Sequence, residues 1–491
     1  MIRFLFATGL TASIAMVCSH AALAETTISK GARIAVVVSD SDLSAPARLA
    51  VDDLSKYLQR TLDAAVRRYP PDTTLSTLQD DVVIVVGSGE DSGFAALAGQ
   101  SGRDVAIDGL GKEGSRLVAT SISGKPGLLL LGGTWTGACH AVYSFLEQEL
   151  GIGFFIDGDR VPSVESIDLS AVDRTEIPRV PIRGLFYHPT WIHPHANCCR
   201  LWSFEEWAQF LDWMRHRRLN VLPLFHDEGG YCWGDVTFDA FPQVEKNDHT
   251  LAHFVTDPTW RTELNHRIFD YARSSGIQIA YNLFYSQVPE FVADYYPDLE
   301  KHPLRMRNVG INTTQPECRE IMKQYWGQIL DTHGIDDSHI YIICAYEHEL
   351  PLSSYLDSRN APTQDAIDVL RELDPQARIY VENWCWTYRH KPTTPIPRQQ
   401  WLDESFHVEW EKFNAEMAPD IGVADWDRKQ EPKRVPDPSF GGRPYIQLTH
   451  TLMEGWWPPD TGRRQPRWMI DYFGDAIDHG AEGVLSFHIQ A

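Results

Sequence analysis

Eight short apolar runs alternate with helix-like stretches after residue 181, and no other property of the chain narrows its fold so far. The runs are Ile182–Tyr187, Asn220–Phe225, Ile277–Phe284, His339–Ala345, Arg378–Asn383, Asp420–Ala424, Pro444–Thr449 and Gly483–Phe487. Between them lie helix starts that can be read directly. Ser203 with Glu206 forms a capping box ahead of Trp207, Phe210, Leu211 and Met214, and Asp257-Pro258 opens a helix that closes near Gly276. Eightfold strand–helix alternation is the sequence form of a (β/α)8 barrel. The chain stops just after the eighth run, so either the last helix is absent or the sequence is a fragment of a longer protein.

A chain of 491 residues has room for a second domain. Upstream of the barrel the pattern reads strand (Ile34–Val38), helix (Ala45–Leu62), strand (Val82–Val86), strand (Arg116–Thr120), strand (Leu128–Leu131) and helix (Trp135–Leu150). That is a small α/β domain. Gly132-Gly133-Thr134 lacks the lysine and spacing of a phosphate loop, so it reads as a turn with Thr134 as a helix cap. Ser163–Pro181 is polar and ends in prolines, which reads as a linker. The expected organisation is a leader over residues 1–24, an N-terminal α/β domain over 25–175 and a TIM-like barrel over 176–491.

The leader follows from Arg3, the apolar run Phe4–Val17 and small residues at Ala22 and Ala24, a secretory pattern too short to span a bilayer. Export to the periplasm or cell exterior is therefore expected, without membrane insertion. Of eight cysteines, Cys18 falls in the leader, and Cys139, Cys198, Cys199, Cys232, Cys318, Cys344 and Cys385 make an odd set. Cys344 and Cys385 read as buried thiols; Cys198, Cys199 and Cys232 could contain one disulfide. A net charge of −23, spread along the chain, would repel nucleic acid and anionic membranes.

Barrel chemistry collects at the C-terminal ends of the strands. There the sequence places His188, His226-Asp227-Glu228, Tyr285, Glu347-His348-Glu349, Glu382-Asn383-Trp384, Asp425-Trp426-Asp427, His450 with Glu454 beyond, and His488. Glycosidic hydrolysis needs two carboxyl groups flanking the scissile oxygen. Glu347 and Glu349 share one side of an extended chain, where mutual repulsion would keep one protonated, and Asp425 and Asp427 repeat the spacing on strand six. These four are the catalytic candidates. His188, His226, Glu382, Trp384, Trp426, His450, Glu454 and Trp456 are the substrate-binding candidates, with Glu382 and Glu454 as catalytic reserves. Tryptophan faces suit pyranose rings, so Trp384, Trp386 and Trp456-Trp457 are expected to stack on sugar, whereas Trp207, Trp213 and Trp326 read as core. His188, His193, His195, His226, His450 and His488 could converge on a metal, but they lack the usual ligand spacing. No metal or cofactor is expected; the expected partner is an oligosaccharide or polysaccharide.

Two segments add a resemblance. Gly133-Thr134-Trp135-Thr136-Gly137-Ala138, Ala141-Val142-Tyr143, Phe145-Leu146-Glu147 and Leu150-Gly151-Ile152-Gly153-Phe154-Phe155, running to Gly158 and Val161-Pro162, resemble the end of an N-terminal domain shared by α-glucuronidases, β-hexosaminidases and α-N-acetylglucosaminidases. Trp207, Asp212-Trp213-Met214 and Leu219-Asn220-Val221 resemble the first barrel helix and second strand of the α-N-acetylglucosaminidases, with weaker similarity at His339-Ile340-Tyr341 and Pro444-Tyr445-Ile446. The resemblance implies a secreted, exo-acting glycosidase with two catalytic carboxylates, on a uronic acid or N-acetylhexosamine. This chain departs from it at the key positions. The family's Asn-Glu pair after strand four falls on Glu347-His348, and its glutamate after strand six meets Asp425-Trp426-Asp427-Arg428-Lys429. Arg305, Arg307, Arg428 and Lys429 would suit a uronic acid or sulfated sugar. A barrel that binds carbohydrate without cleaving it and a polysaccharide lyase with a His or Tyr base are the alternatives.

Overall fold

The computed structural model describes residues 27–100, 105–186, 202–225, 236–254, 257–304, 308–344, 360–383, 386, 398–425, 439–450 and 473–487. They form two compact units: the described residues of Met1–Asp42, Val51–Gly151 and Val161–Glu176, and those of Leu43–Ala50, Ile152–Arg160 and Ile177–Ala491.

The first unit is built on a six-stranded sheet in the order Ala65–Tyr69, Arg33–Val38, Val82–Ser88, Lys125–Gly132, Ser115–Ile122, Asp173–Glu176. The first four strands run parallel, and the last two pair antiparallel. Its central strands are the apolar runs read from the sequence, buried throughout over Val82–Ser88. Thr134 caps helix Trp135–Gln148 by accepting from the Thr136 amide at 3.2 Å. The stretch expected to be a linker contains two strands instead. Ser166–Asp168 pairs with Thr27–Ser29, and Asp173–Glu176 closes the large sheet. Both are short and polar because each has only one strand neighbour, and charge on an edge strand discourages further pairing.

The second unit is a closed barrel whose strands we number β1 (Ile182–Phe186), β2 (Val221–Phe225), β3 (Gln278–Phe284), β4 (Ile340–Cys344), β5 (Arg378–Glu382), β6 (Gly422–Asp425), β7 (Tyr445–His450) and β8 (Gly483–Phe487). Each pairs in parallel with the next, and β8 pairs with β1. The helices between them include α1 (Phe204–His216), α2 (Pro258–Ser274), α3 (Pro316–His333), α4 (Asn360–Leu373) and α5 (Arg398–Glu416). Their ends are chemically fixed. Ser203 and Glu206 exchange hydrogen bonds in the capping box of α1. Asp257 accepts from the Thr259 and Trp260 amides at the start of α2, and Gly276, at φ +78°, turns the chain out of it. Arg443, just before β7, donates to the carbonyls of Asn414, Met417 and Ala418 and so ties down the end of α5.

Side chains alternate across the barrel wall. Ala280, Ile342, Tyr380, Ala424, Ile446 and Leu485 pack in the barrel interior, whereas Ile279, Tyr341, Val381, Val423 and Tyr445 pack in the layer shared with the helices. Tyr380 is the largest side chain among these interior residues. Gly422 faces its ring, and a Cβ at Gly422 would lie 2.5 Å from Tyr380 Cδ1 and 2.8 Å from the Pro444 carbonyl oxygen. Burial pushes the Tyr380 phenol up from its ordinary range, and its hydroxyl donates to Glu482 at 2.8 Å.

Candidate active site

The alternation that fills the interior also decides which strand-end residues face into it. On β3 the inward register is Ala280, Asn282, Phe284; on β4 it is Ile340, Ile342, Cys344; on β5 it is Tyr380 followed by Glu382. Three polar side chains therefore meet at the C-terminal end of the barrel interior. The Cys344 thiol contacts a Glu382 carboxylate oxygen and lies 3.3 Å from Asn282 Oδ1. Asn282 and Cys344 are buried, at 1% and 2% exposure, and Glu382 is half-buried. The Asn282 Nδ2 donor is buried and has no hydrogen-bond partner among the described residues. Cys344 is a buried thiol in no disulfide, as its apolar run implied.

Asp425 ends β6 in the opposite register, in step with Val423, which packs in the layer shared with the helices. It is fully buried. Its carboxylate accepts from Asn383 Nδ2 at 2.5 Å, and its backbone carbonyl accepts from Gln447 Nε2 at 2.6 Å. Asn383 and Gln447 are equally buried, so these three side chains stitch the ends of β5, β6 and β7 within the wall. Glu382 and Asp425 thus sit on adjacent strands and on opposite faces.

The rim beside β3 is braced separately. The Tyr285 hydroxyl is 2.9 Å from Thr363 Oγ1 on α4, and the Cys318 thiol of α3 donates to the Tyr285 carbonyl at 3.5 Å. Burial holds that thiol well above its ordinary range, in its protonated, inert form. Between β3 and α3 the chain adds a three-stranded antiparallel sheet, Gln287–Pro289, Asn308–Ile311 and Lys301–Pro303, which no apolar run in the sequence announces. Asn312 anchors it by donating to Glu300 at 2.7 Å.

Trp386 is corrected from sugar platform to core. It is 2% exposed and packs against Phe406 and Phe413 of α5, at centroid separations of 5.6 and 5.1 Å. Trp207 and Trp326 are buried as expected. His450 ends β7, in register with Phe487. His188, His226, Glu347, Glu349, Trp384, Trp426, Asp427, Glu454 and Trp456 lie outside the described residues, as do Arg305, Arg307, Arg428 and Lys429. Among the described residues no cluster of three His, Cys, Asp or Glu could hold a metal, and no helix is long and apolar enough to cross a membrane. Neither Asn282 nor Cys344 was singled out as a site residue from the sequence. Their signal was the period of two along β3 and β4, which puts both on the face of Glu382.

No protein-family model and no curated protein matches the sequence. Solved structures do match. A family 89 glycoside hydrolase from Clostridium perfringens, in complex with PUGNAc, superposes with a TM-score of 0.59 at 13% identity, covering 90% of this chain and 46% of that one. A GH20 exo-β-N-acetylglucosaminidase from Vibrio harveyi gives 0.54 at 12% identity, over 95% of this chain and 68% of that one. A GH115 4-O-methyl-α-glucuronidase with specificity for decorated arabinogalactans gives 0.54 at 12% identity, over 94% and 54%. This chain thus spans about half the length of the first and third. The likeness is one of fold: an N-terminal α/β sheet domain followed by an eight-stranded parallel barrel is an architecture shared with these glycosidases.

Proposed function

We infer that the protein is an exported glycoside hydrolase that removes a terminal uronic acid or N-acetylhexosamine from a glycan by a two-carboxylate mechanism. The observation that carries the reading is the closed parallel barrel with a half-buried carboxylate, Glu382, on the inner face at its C-terminal end, in a fold shared with sugar-removing enzymes. One carboxyl group protonates the leaving oxygen while the other attacks the anomeric carbon or activates water. Glu347 or Glu349, beyond β4, is assigned as the proton donor. Asp425 or Asp427, beyond β6, supplies the opposing group. Because the Asp425 side chain is tied to Asn383 in the wall, we assign it the anchoring role and Asp427 the reacting one. Glu382 binds a sugar hydroxyl, and His188, His226, Trp384, Trp426, His450, Glu454 and Trp456 complete the sugar site.

The test is release of free sugar from aryl α-N-acetylglucosaminides, aryl glucuronides and acidic oligosaccharides by the purified chain. Turnover is expected on one of these, with loss in Glu347→Gln or Glu349→Gln and in Asp427→Asn. Turnover unchanged in all three variants would remove the assignment. A second reading, a barrel that binds sugar without cleaving it, is supported by His348 at the position where the resemblance sets the acid. Binding without product release by the unaltered protein would favour it.

A further inference from the structure

We propose that Asn282 and Glu382, held together through Cys344, form the floor of a sugar subsite inside the barrel mouth, with Asn282 donating a hydrogen bond to an oxygen of the bound ring. The proposal deepens the glycosidase reading and rests on it for the class of ligand. A buried amide donor without a partner is costly, and native structures leave few. Asn282 Nδ2 is such a donor among the described residues, in a side chain 1% exposed. Its own Oδ1 is already directed at the Cys344 sulfur, 3.3 Å away, which fixes the amide with Nδ2 turned elsewhere. On the other side of Cys344 lies the Glu382 carboxylate, an acceptor when ionised.

A donor and an acceptor bridged by one small side chain match a sugar, whose hydroxyls both give and accept a proton and whose neighbouring oxygens are closely spaced. Phe284 follows Asn282 on the same face of β3, half-buried against the interior cluster. It offers the flat apolar surface that a pyranose C–H face packs on. The three strands thus present an aromatic face, a donor and an acceptor together. Cys344 is the positioning residue: it touches both polar partners.

The experiment is calorimetric titration of the full chain with N-acetylglucosamine and with glucuronic acid, on the unaltered protein and on Asn282→Ala, Asn282→Asp, Cys344→Ser and Cys344→Val. Melting temperatures check that each variant folds. One of the sugars is expected to bind, and both Asn282 variants to bind it about tenfold or more weakly. Cys344→Ser keeps a hydroxyl between the partners and is expected to retain affinity, whereas Cys344→Val loses it while still melting cooperatively. Equal affinity in the unaltered protein and Asn282→Ala, or binding of neither sugar, would overturn the proposal; the former would mark Asn282 as a buried polar residue satisfied by water alone. Binding is read without turnover. Absence of hydrolysis would therefore end the hydrolase reading and leave this one standing, while unaltered binding in the variants would end this one and leave hydrolysis untouched.

Discussion

The inner and outer faces of β5 and β6 carry carboxylates of the same type, one strand apart, with different neighbours. Glu382, on the inner face, is half-buried beside a thiol and an amide at the barrel mouth. Asp425, on the outer face, is wholly buried, with Asn383 on its carboxylate and Gln447 on its backbone carbonyl. The inner one shares the inward register of Tyr380; the outer one holds strand ends together. Position at the end of a strand therefore does not assign a role. The face does, and it is set by the period of two.

Substitutions on the two faces should separate accordingly. The largest expected effect is on the outer face, at Trp386→Ala, which empties a site packed against Phe406 and Phe413 and should cost about 3–5 kcal/mol in denaturant unfolding. A loss under about 1 kcal/mol would contradict its place in the core. Next comes Asp425→Ala. It leaves the buried Asn383 amide without its acceptor and should cost about 1–3 kcal/mol. Glu382→Gln, on the inner face, keeps the side-chain shape and should change stability by less than about 1 kcal/mol, while weakening sugar binding. If Glu382→Gln destabilised the protein as much as Asp425→Ala, the division between the faces would fail.

The smallest effect serves as a control in the N-terminal unit. The Arg33 guanidinium and amide hydrogen-bond Asp81 and lower its carboxyl from 3.8 to about 2. Because the folded value is the depressed one, this pair stabilises above the ordinary value and loses its contribution as pH falls toward about 2. Both partners are about half exposed, so solvent screens the pair and its contribution should be small. An acid titration of Arg33→Ala should differ from that of the unaltered chain by that small contribution near neutral pH and converge with it below about pH 2.

The eight barrel strands were legible because each is an apolar run bounded by turn or capping residues, as at Ser203 and Asp257. Those signals are local and strong. The strands that escaped were short and polar: Ala65–Tyr69, Ser166–Asp168 and Asp173–Glu176 lie at sheet edges or in a two-stranded pair, where pairing rather than composition makes a strand. The insertion after β3 escaped for the same reason, with strands of three or four residues. At the site, Glu382 was legible as a strand-end acid. Trp386 was not legible as core, since its burial depends on Phe406 and Phe413, twenty or more residues along. Asn282 was hidden inside an apolar run and Cys344 by a type that usually signals packing, and only the assembled β3, β4 and β5 brings them to one acid.

The decisive comparison is sugar release by Glu382→Gln and by Asp425→Asn, each assayed well below its own melting temperature against the unaltered protein. Glu382→Gln should fold normally and release sugar more slowly because it binds the sugar more weakly, while Asp425→Asn should melt lower yet cleave at a rate close to that of the unaltered chain. Full turnover in Glu382→Gln, joined to its loss in a properly folded Asp425→Asn, would place the chemistry on the wrong face of the wall.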